Sequence, residues 1–241
     1  MTAGKLSVSF LVIAVVLYFA LGALIGYIAD SMTPQQEVKL EKILSYDDNI
    51  SDTKSPYLRN IMSRLTKCAD LPYPIHIKVL PKKQINAFAA PGGIVYVTKG
   101  LLKKIKSENT LAFVLGHELG HFKHKDHLRG LGYKLIYGAA GILLGNNYGN
   151  ILGITLTVSS AKHSQEQELA ADAYGLEVMQ CAYGTVNGAD ELFEQMKDGK
   201  EWRYFTADHP AFEDRLTKMR ELVKKKGYNT KGKILPLGKW R

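Results

Sequence analysis

The chain has 241 residues, 46% of them hydrophobic and 23% charged, with a net charge of +9. That length suits one medium domain or two small ones, and the composition excludes a collagen, a disordered acidic tail and a disulfide-scaffold miniprotein. From Gln195 onward thirteen Lys/Arg face six Asp/Glu, against nineteen and seventeen before it. The basicity therefore belongs to one end, and no nucleic-acid partner is expected.

The first element is apolar. Leu6 to Ala29 is a run of 24 residues without a charge. About 20 apolar residues cross a bilayer as a helix, whereas a signal-peptide core is about 7–15 residues. Residues 1–30 are therefore expected to be an uncleaved transmembrane anchor that meets membrane lipid through residues 6–29. Lys5 precedes the run, and the flank after it is net negative. The positive-inside rule then puts the N-terminus in the cytoplasm and the main domain on the extracytoplasmic, periplasmic side of a cell membrane. The polar residues 31–54 read as a linker and residues 55–227 as the main domain. Residues 228–241 read as a basic, solvated tail, with anionic lipid contact as its alternative.

Ser55-Pro56 supplies an N-cap and a first-turn proline, and Leu58, Ile61, Leu65 and Cys68 follow at helical spacing. Tyr73–Leu80, Ile85–Ala89 and Ile94–Thr98 read as strands, the last two forming a hairpin around Ala90-Pro91-Gly92-Gly93. Ser107 caps a long helix containing LAFVLGHELGHFKH, with Glu108 in its first turn. Residues 135–161 carry no charge and are broken by Asn146 to Asn150. They read as a buried helical hairpin, with a membrane-dipping hairpin as the alternative. A helix around SQEQELAADAYGLEVMQ stops near Gly184, and two more are expected near 187–197 and 210–226. Cys68 and Cys181 have no metal-ligand spacing. They pair if the domain is extracytoplasmic and are otherwise small core residues.

His117-Glu118-Leu119-Gly120-His121 carries the chemistry. On a helix, positions i and i+4 lie about 40° apart and one turn along, so both imidazoles can face one ion. Glu118, next to His117, can reach a water at that ion without ligating it. The apolar LAFVLG before the motif makes this a core helix, where a histidine and a glutamate without partners would be costly. The alternative is a pair of surface histidines on a charged helix.

Two sources for a third ligand compete. His127 stands six residues after His121, as in HExxHxxGxxH, but His124 occupies the position where that pattern needs a glycine. On a continuing helix His127 lies about 15 Å along the axis from His117, out of reach, so His124 and His127 are expected to be solvated or behind the ligands. The other source is Glu168-Leu169-Ala170-Ala171-Asp172. Glu168 and Asp172 share a face, and the alanines let two helices approach closely. Glu168 would complete a His2Glu site, and Asp172 would orient a histidine from behind. Glu166 lies about 200° around the helix from Glu168 and faces away.

With these residues in place the chain resembles the HtpX-like and CAAX-prenyl-endopeptidase-like membrane zinc peptidases, a gluzincin group. Four blocks match in order over roughly residues 55–225: NAFAAPGGIVYVTKGLL (86–102), HELGH (117–121), ELAAD (168–172) and HPAFEDR (209–215). The resemblance implies one Zn2+ held by His117, His121 and Glu168, with Glu118 as general base. It also implies a polar role for His209 near the oxyanion and a bracing role for Arg215. In the first block, Asn86, Ala87, Phe88 and Ala89 would form an edge strand that binds an extended substrate through main-chain bonds. One anchor rather than several spans makes the chain similar to the short, single-anchor members.

The expected fold is α+β: a mainly helical zincin-type domain with a small sheet at the cleft edge. The expected function is hydrolysis of extended or unfolded polypeptide, membrane or envelope proteins included, in protein quality control. The alternatives are a latent protease and a non-proteolytic, zinc-stabilised chaperone or scaffold.

Overall fold

The computed structural model describes residues 3–44, 52–143, 163–196, 202–209 and 215–240, and of 3–11, 14, 136–143 and 204 the backbone only. Helix α1 (Ala3–Ser31) has 29 residues and contains the whole charge-free run. Its apolar side chains from Val12 to Ile28 stand largely exposed, while buried Ile25 packs on α6 (Asp126–Leu143) at Gly132. Among the described residues no single helix is long and apolar enough to cross a membrane. Val15–Ser31 and Pro34–Ile43 reach that length only together, across a bend of 111°.

The expected linker contains a helix, α2 (Pro34–Leu44). Thr33 and Gln36 cap it reciprocally: the Gln36 N–H donates to Thr33 Oγ1 (3.3 Å) and the Thr33 N–H to Gln36 Oε1 (2.7 Å). Buried Glu37 and the Glu41–Lys78 ion pair (3.5 Å) fasten α2 to the domain. Helix α3 (Pro56–Thr66) starts at the expected Ser55 cap and buries Leu58, Ile61, Met62 and Leu65.

The sheet has the order β1 (His76–Leu80), β3 (Ile94–Thr98), β2 (Ala87–Ala90). β1 runs parallel to β3, and β2 pairs antiparallel with it in the register Ala87↔Val97. The hairpin turns on Gly92 (φ 82°) and Gly93 (φ 76°), a conformation that favours glycine. β2 is thus the sheet's edge, as expected. β1 begins three residues later than the apolar pattern suggests, because Pro74 has no N–H to give to a ladder.

Helix α4 (Lys99–Lys104) leads to α5 (Glu108–Lys123), capped by Ser107 and buried from Asn109 to Phe122. A helix buried on every side lies between layers. Here α3 and β2 pack on α5 together with α7 (Gln165–Tyr183), which follows the Ser164 capping box and ends on left-handed Gly184. The α5–α7 crossing is very close: a Cβ on Gly120 would sit 2.7 Å from Ala171 Cα. Backbone on both sides leaves nothing to yield, so Gly120→Val is expected to cost about 3 kcal/mol, measured by thermal denaturation beside wild type. Loss of less than 1 kcal/mol would mean the crossing can relax.

Helices α8 (Glu191–Met196), α9 (Arg203–Asp208) and α10 (Arg215–Lys226) close the domain. Residues 135–143 of the expected hairpin continue α6, and the rest of it lies outside the described residues, as does the Pro210 helix start. The basic tail is not a solvated strand of chain. Glu108 N–H donates to Leu235 O (2.9 Å), Asn109 Nδ2 donates to Lys233 O (3.2 Å), and Leu237 and Trp240 pack on the core. A disulfide joins Cys68, just after α3, to Cys181 in α7. The described residues form a mainly helical α+β domain with one small sheet.

Candidate active site

Helix α5 presents His117 and His121 one turn apart, with their Nε2 atoms 3.1 Å from each other. Helix α7 sets Glu168 against both, Oε2 lying 3.5 Å from His117 Nε2 and Oε1 3.5 Å from His121 Nε2. His209, at the end of α9, donates from Nε2 to the Ala87 carbonyl (3.2 Å). That bond leaves its Nδ1 bare, 3.2 Å from His117 Nε2 and 3.2 Å from Glu168 Oε1. One atom from each of His117, His121, Glu168 and His209 falls within 4.8 Å of the others.

Carboxylates hold the two α5 imidazoles from behind. His117 Nδ1 donates to Asp172 Oδ1 (2.9 Å) and His121 Nδ1 to Asp126 Oδ2 (3.1 Å). Each of these rings therefore offers a bare Nε2 to the cluster when neutral. Asp172 is held in turn by Arg215 Nε (2.6 Å) and Nη2 (2.8 Å), and Arg215 Nη1 reaches Glu168 Oε2 (2.6 Å). Gln167 Nε2 donates to Asp126 Oδ1 (2.7 Å). With all three rings neutral, three bare imidazole nitrogens surround a carboxylate. That donor set, with tetrahedral-edge spacings, suits a zinc ion.

The electrostatics follow from burial and pairing. Burial disfavours charge on His121, yet its bonds to Asp126 and Glu168 win and push it up to about 10. Burial drives His117 down. Glu168 and Asp172 stay ionised against burial, the first through His209 and His117, the second through Arg215. Glu118 differs: both its carboxylate oxygens are buried without a hydrogen bond, and His209 Nε2 lies 3.4 Å from Oε1. A buried carboxylate left without donors is costly, a cost that points to a task other than stability. His117, Glu118, His121, Glu168 and His209 are at most 2% exposed, so the site is closed to bulk water.

The structure brings together all the metal-site and acid–base residues expected from the sequence. On the edge strand it gathers some and not others. The Ala87 carbonyl faces His209, and Asn86 Nδ2 donates to Asp208 Oδ2 (2.7 Å), tying β2 to the end of α9. Phe88 instead stacks on Tyr96 at 5.0 Å in a separate small cluster, and Ala89 is half-buried.

Glu166 is exposed, as expected. His124 is exposed too, but His127 is not. It is buried with Nε2 3.0 Å from Glu37 Oε2, and Nδ1 donates to the His121 carbonyl (3.3 Å). Two neighbours of the cluster were not anticipated. Asp126 arrives because α5 stops at Lys123 and Lys125 turns the chain at φ 56°. His163 stacks on His121 with ring centres 3.9 Å apart, and no spacing in the sequence signals it.

Comparison with known proteins agrees with this geometry. The model of Peptidase family M48 matches residues 52–223. The mitochondrial metalloendopeptidase OMA1 of Schizosaccharomyces pombe is 29% identical over 77% of this chain and 59% of its own length. A protease HtpX homolog of Salinibacter ruber is 31% identical over 54% of each chain. The metalloprotease LoiP of Escherichia coli is 27% identical over 64% of this chain and 65% of its own. The chain thus spans about half to two thirds of these relatives.

Proposed function

Because the chain belongs to peptidase family M48, we propose that it is a zinc-dependent endopeptidase acting on extended or unfolded polypeptide. The observation that carries the reading is the pair of Nε2 atoms of His117 and His121, 3.1 Å apart and beside Glu168. In this reading His117, His121 and Glu168 hold one Zn2+, residues 55–227 are the peptidase domain and 228–241 its basic tail.

Bound there, zinc would supply Lewis acidity, lowering the pKa of water and polarising the scissile carbonyl. Glu118 takes the proton of the attacking water and later passes it to the leaving amine. The absence of hydrogen bonds to its oxygens keeps them available for that proton. Asp172 and Asp126 fix the ring orientations of His117 and His121, and Arg215 keeps Asp172 ionised and aligns it with Glu168. His209 gains a second proton, on Nδ1, only when it is charged, and in that form it offers this proton to the carbonyl oxygen as charge develops. The edge of β2 at Asn86–Ala89 pairs with substrate backbone, which gives broad sequence tolerance.

The exposed apolar length of α1 supports membrane anchoring through residues 6–29, with a single pass, the N-terminus cytoplasmic and the domain extracytoplasmic. The Cys68–Cys181 disulfide suits an oxidising compartment on that side. A role in envelope protein quality control fits such a protease.

The reading is tested on the full chain in detergent with unfolded casein. Hydrolysis should stop with 1,10-phenanthroline and return with added zinc. Hydrolysis indifferent to chelation would refute it.

One observation favours a second reading, latency. His209 Nδ1 stands where a fourth ligand would, and the site is closed. His209→Ala separates the two. Loss of an oxyanion donor should lower kcat about 100-fold, while removal of a plug should raise it.

A further inference from the structure

Away from the metal cluster, the 81–85 loop and α4 border an open groove of about 790 Å3. Lys83, Lys99 and Lys103 line it beside Lys82, Lys104 and Arg203, which have partners of their own, and among its described lining residues none is acidic. The floor is firmly built. Gly100 N–H donates to Lys82 O (3.0 Å) and Thr98 Oγ1 to Gln84 O (2.6 Å). A Cβ on Gly100 would run into the carbonyls of Lys83 and Gln84. A polar rim of cations over a mostly aliphatic floor suits an anionic side chain of an extended chain.

Its position matters as much as its charge. Ile85 in its lining lies two residues before Ala87, whose carbonyl meets His209, and a strand rises about 3.3 Å per residue. Arg203 begins α9, whose end is followed by His209. Both walls of the groove therefore lead to the metal cluster. A polypeptide adding antiparallel to the edge of β2, the more stable pairing, runs opposite to it. Ahead of Ala87 the chain leaves the strand, so the residues of that polypeptide about two to four positions C-terminal to the one beside Ala87 run on toward the 81–85 loop rather than pair with it. The far end of the sheet, at Gly92, is the end that meets Glu41 of α2, so the groove lies away from the helix next to the anchor. That placement disfavours a lipid headgroup.

Resting on the hydrolytic reading above, we infer that this groove is a specificity subsite for Asp or Glu on the C-terminal side of the bond cleaved. The test uses the full chain in detergent on a library of proteome-derived peptides, with cut sites sequenced by mass spectrometry. Asp and Glu should be enriched about tenfold over Lys and Arg at the second to fourth positions after the cut, the size expected of two partly screened ion pairs. K83E/K103E should reverse the preference, K83Q/K103Q should flatten it, and 0.5 M NaCl should weaken it in wild type. No preference in wild type, or the same preference in K83E/K103E, overturns the inference. So does a flat preference accompanied by loss of binding to phosphatidylglycerol vesicles in K83E/K103E, which would make the groove a lipid site. Absence of any cleavage counts against the hydrolytic reading instead. The subsite is then judged by fluorescence anisotropy of a labelled Glu-rich peptide. K83E/K103E should weaken its binding about tenfold, and equal binding overturns the inference.

Discussion

Glu118→Gln is expected to cut peptide hydrolysis by about 10³- to 10⁴-fold, with zinc content unchanged and thermal stability equal or higher. The amide matches the carboxylate in shape but cannot accept the proton of water. The stability half of this expectation comes from the structure. Both Glu118 oxygens are buried and make no hydrogen bond, so the substitution removes none and gives up only the approach of His209 Nε2 to Oε1 at 3.4 Å. Activity and stability should therefore move in opposite directions, the pattern of a residue kept for chemistry at a cost to the fold. Paired kcat/KM, zinc and melting measurements check it. Activity within a few-fold of wild type would remove Glu118 from the chemistry, and a large fall in stability would give it a structural role.

Arg215→Met is expected to destabilise the domain by about 3–5 kcal/mol and to strip the bound metal. Arg215 is 1% exposed and bridges two buried carboxylates, Asp172 and Glu168. Removing it leaves two adjacent negative charges out of water with only imidazoles to offset them. The melting temperature should fall by about 10 °C. Asp172→Asn in the same chain should recover part of that loss, because the orphaned charge is gone. The pH dependence has a defined sign. Burial opposes ionisation of Asp172, Arg215 outweighs it, and the folded value lies below the ordinary one. Its contribution is thus present above the unfolded carboxylate value of about 4 and lost as pH falls. Arg215→Met should flatten that acid limb of the stability profile. Additive effects of the two substitutions would show that the two residues do not form one unit.

The residues legible in the sequence are those whose partners are fixed by helix geometry. His117 with His121 and Glu168 with Asp172 are each i and i+4. Gly120 and Ala171, the small residues beside them, let α5 and α7 meet closely enough to merge the two pairs. The hairpin is legible in Pro91-Gly92-Gly93, but that β2 is its outer strand comes only with the resemblance, because it depends on β1 pairing with β3.

What escaped depends on contacts across long stretches of chain or on a single backbone angle. His127 reads as solvated or behind the ligands; it stands behind His121, and its burial against Glu37, 90 positions earlier, has no local signal. Asp126 reaches His121 only because Lys125 adopts a positive φ that no local pattern demands. The helix Pro34–Leu44 hides in a polar composition, although Thr33, Pro34 and Gln36 are an N-cap, a first-turn proline and a capping partner. The tail's lysines suggest solvent, yet its backbone satisfies Asn109 and the first turn of α5.

The metal at His117, His121 and Glu168 is the centre of the proposed chemistry. X-ray absorption at the zinc edge, with elemental analysis, on the full chain purified in detergent is the direct test. It should show one zinc per chain with nitrogen and oxygen ligands at about 2.0–2.1 Å and no sulfur, and Glu168→Ala should lower the zinc content. A chain that holds no zinc, or holds it through sulfur, would contradict the assignment of His117, His121 and Glu168 as ligands and the hydrolytic mechanism built on them.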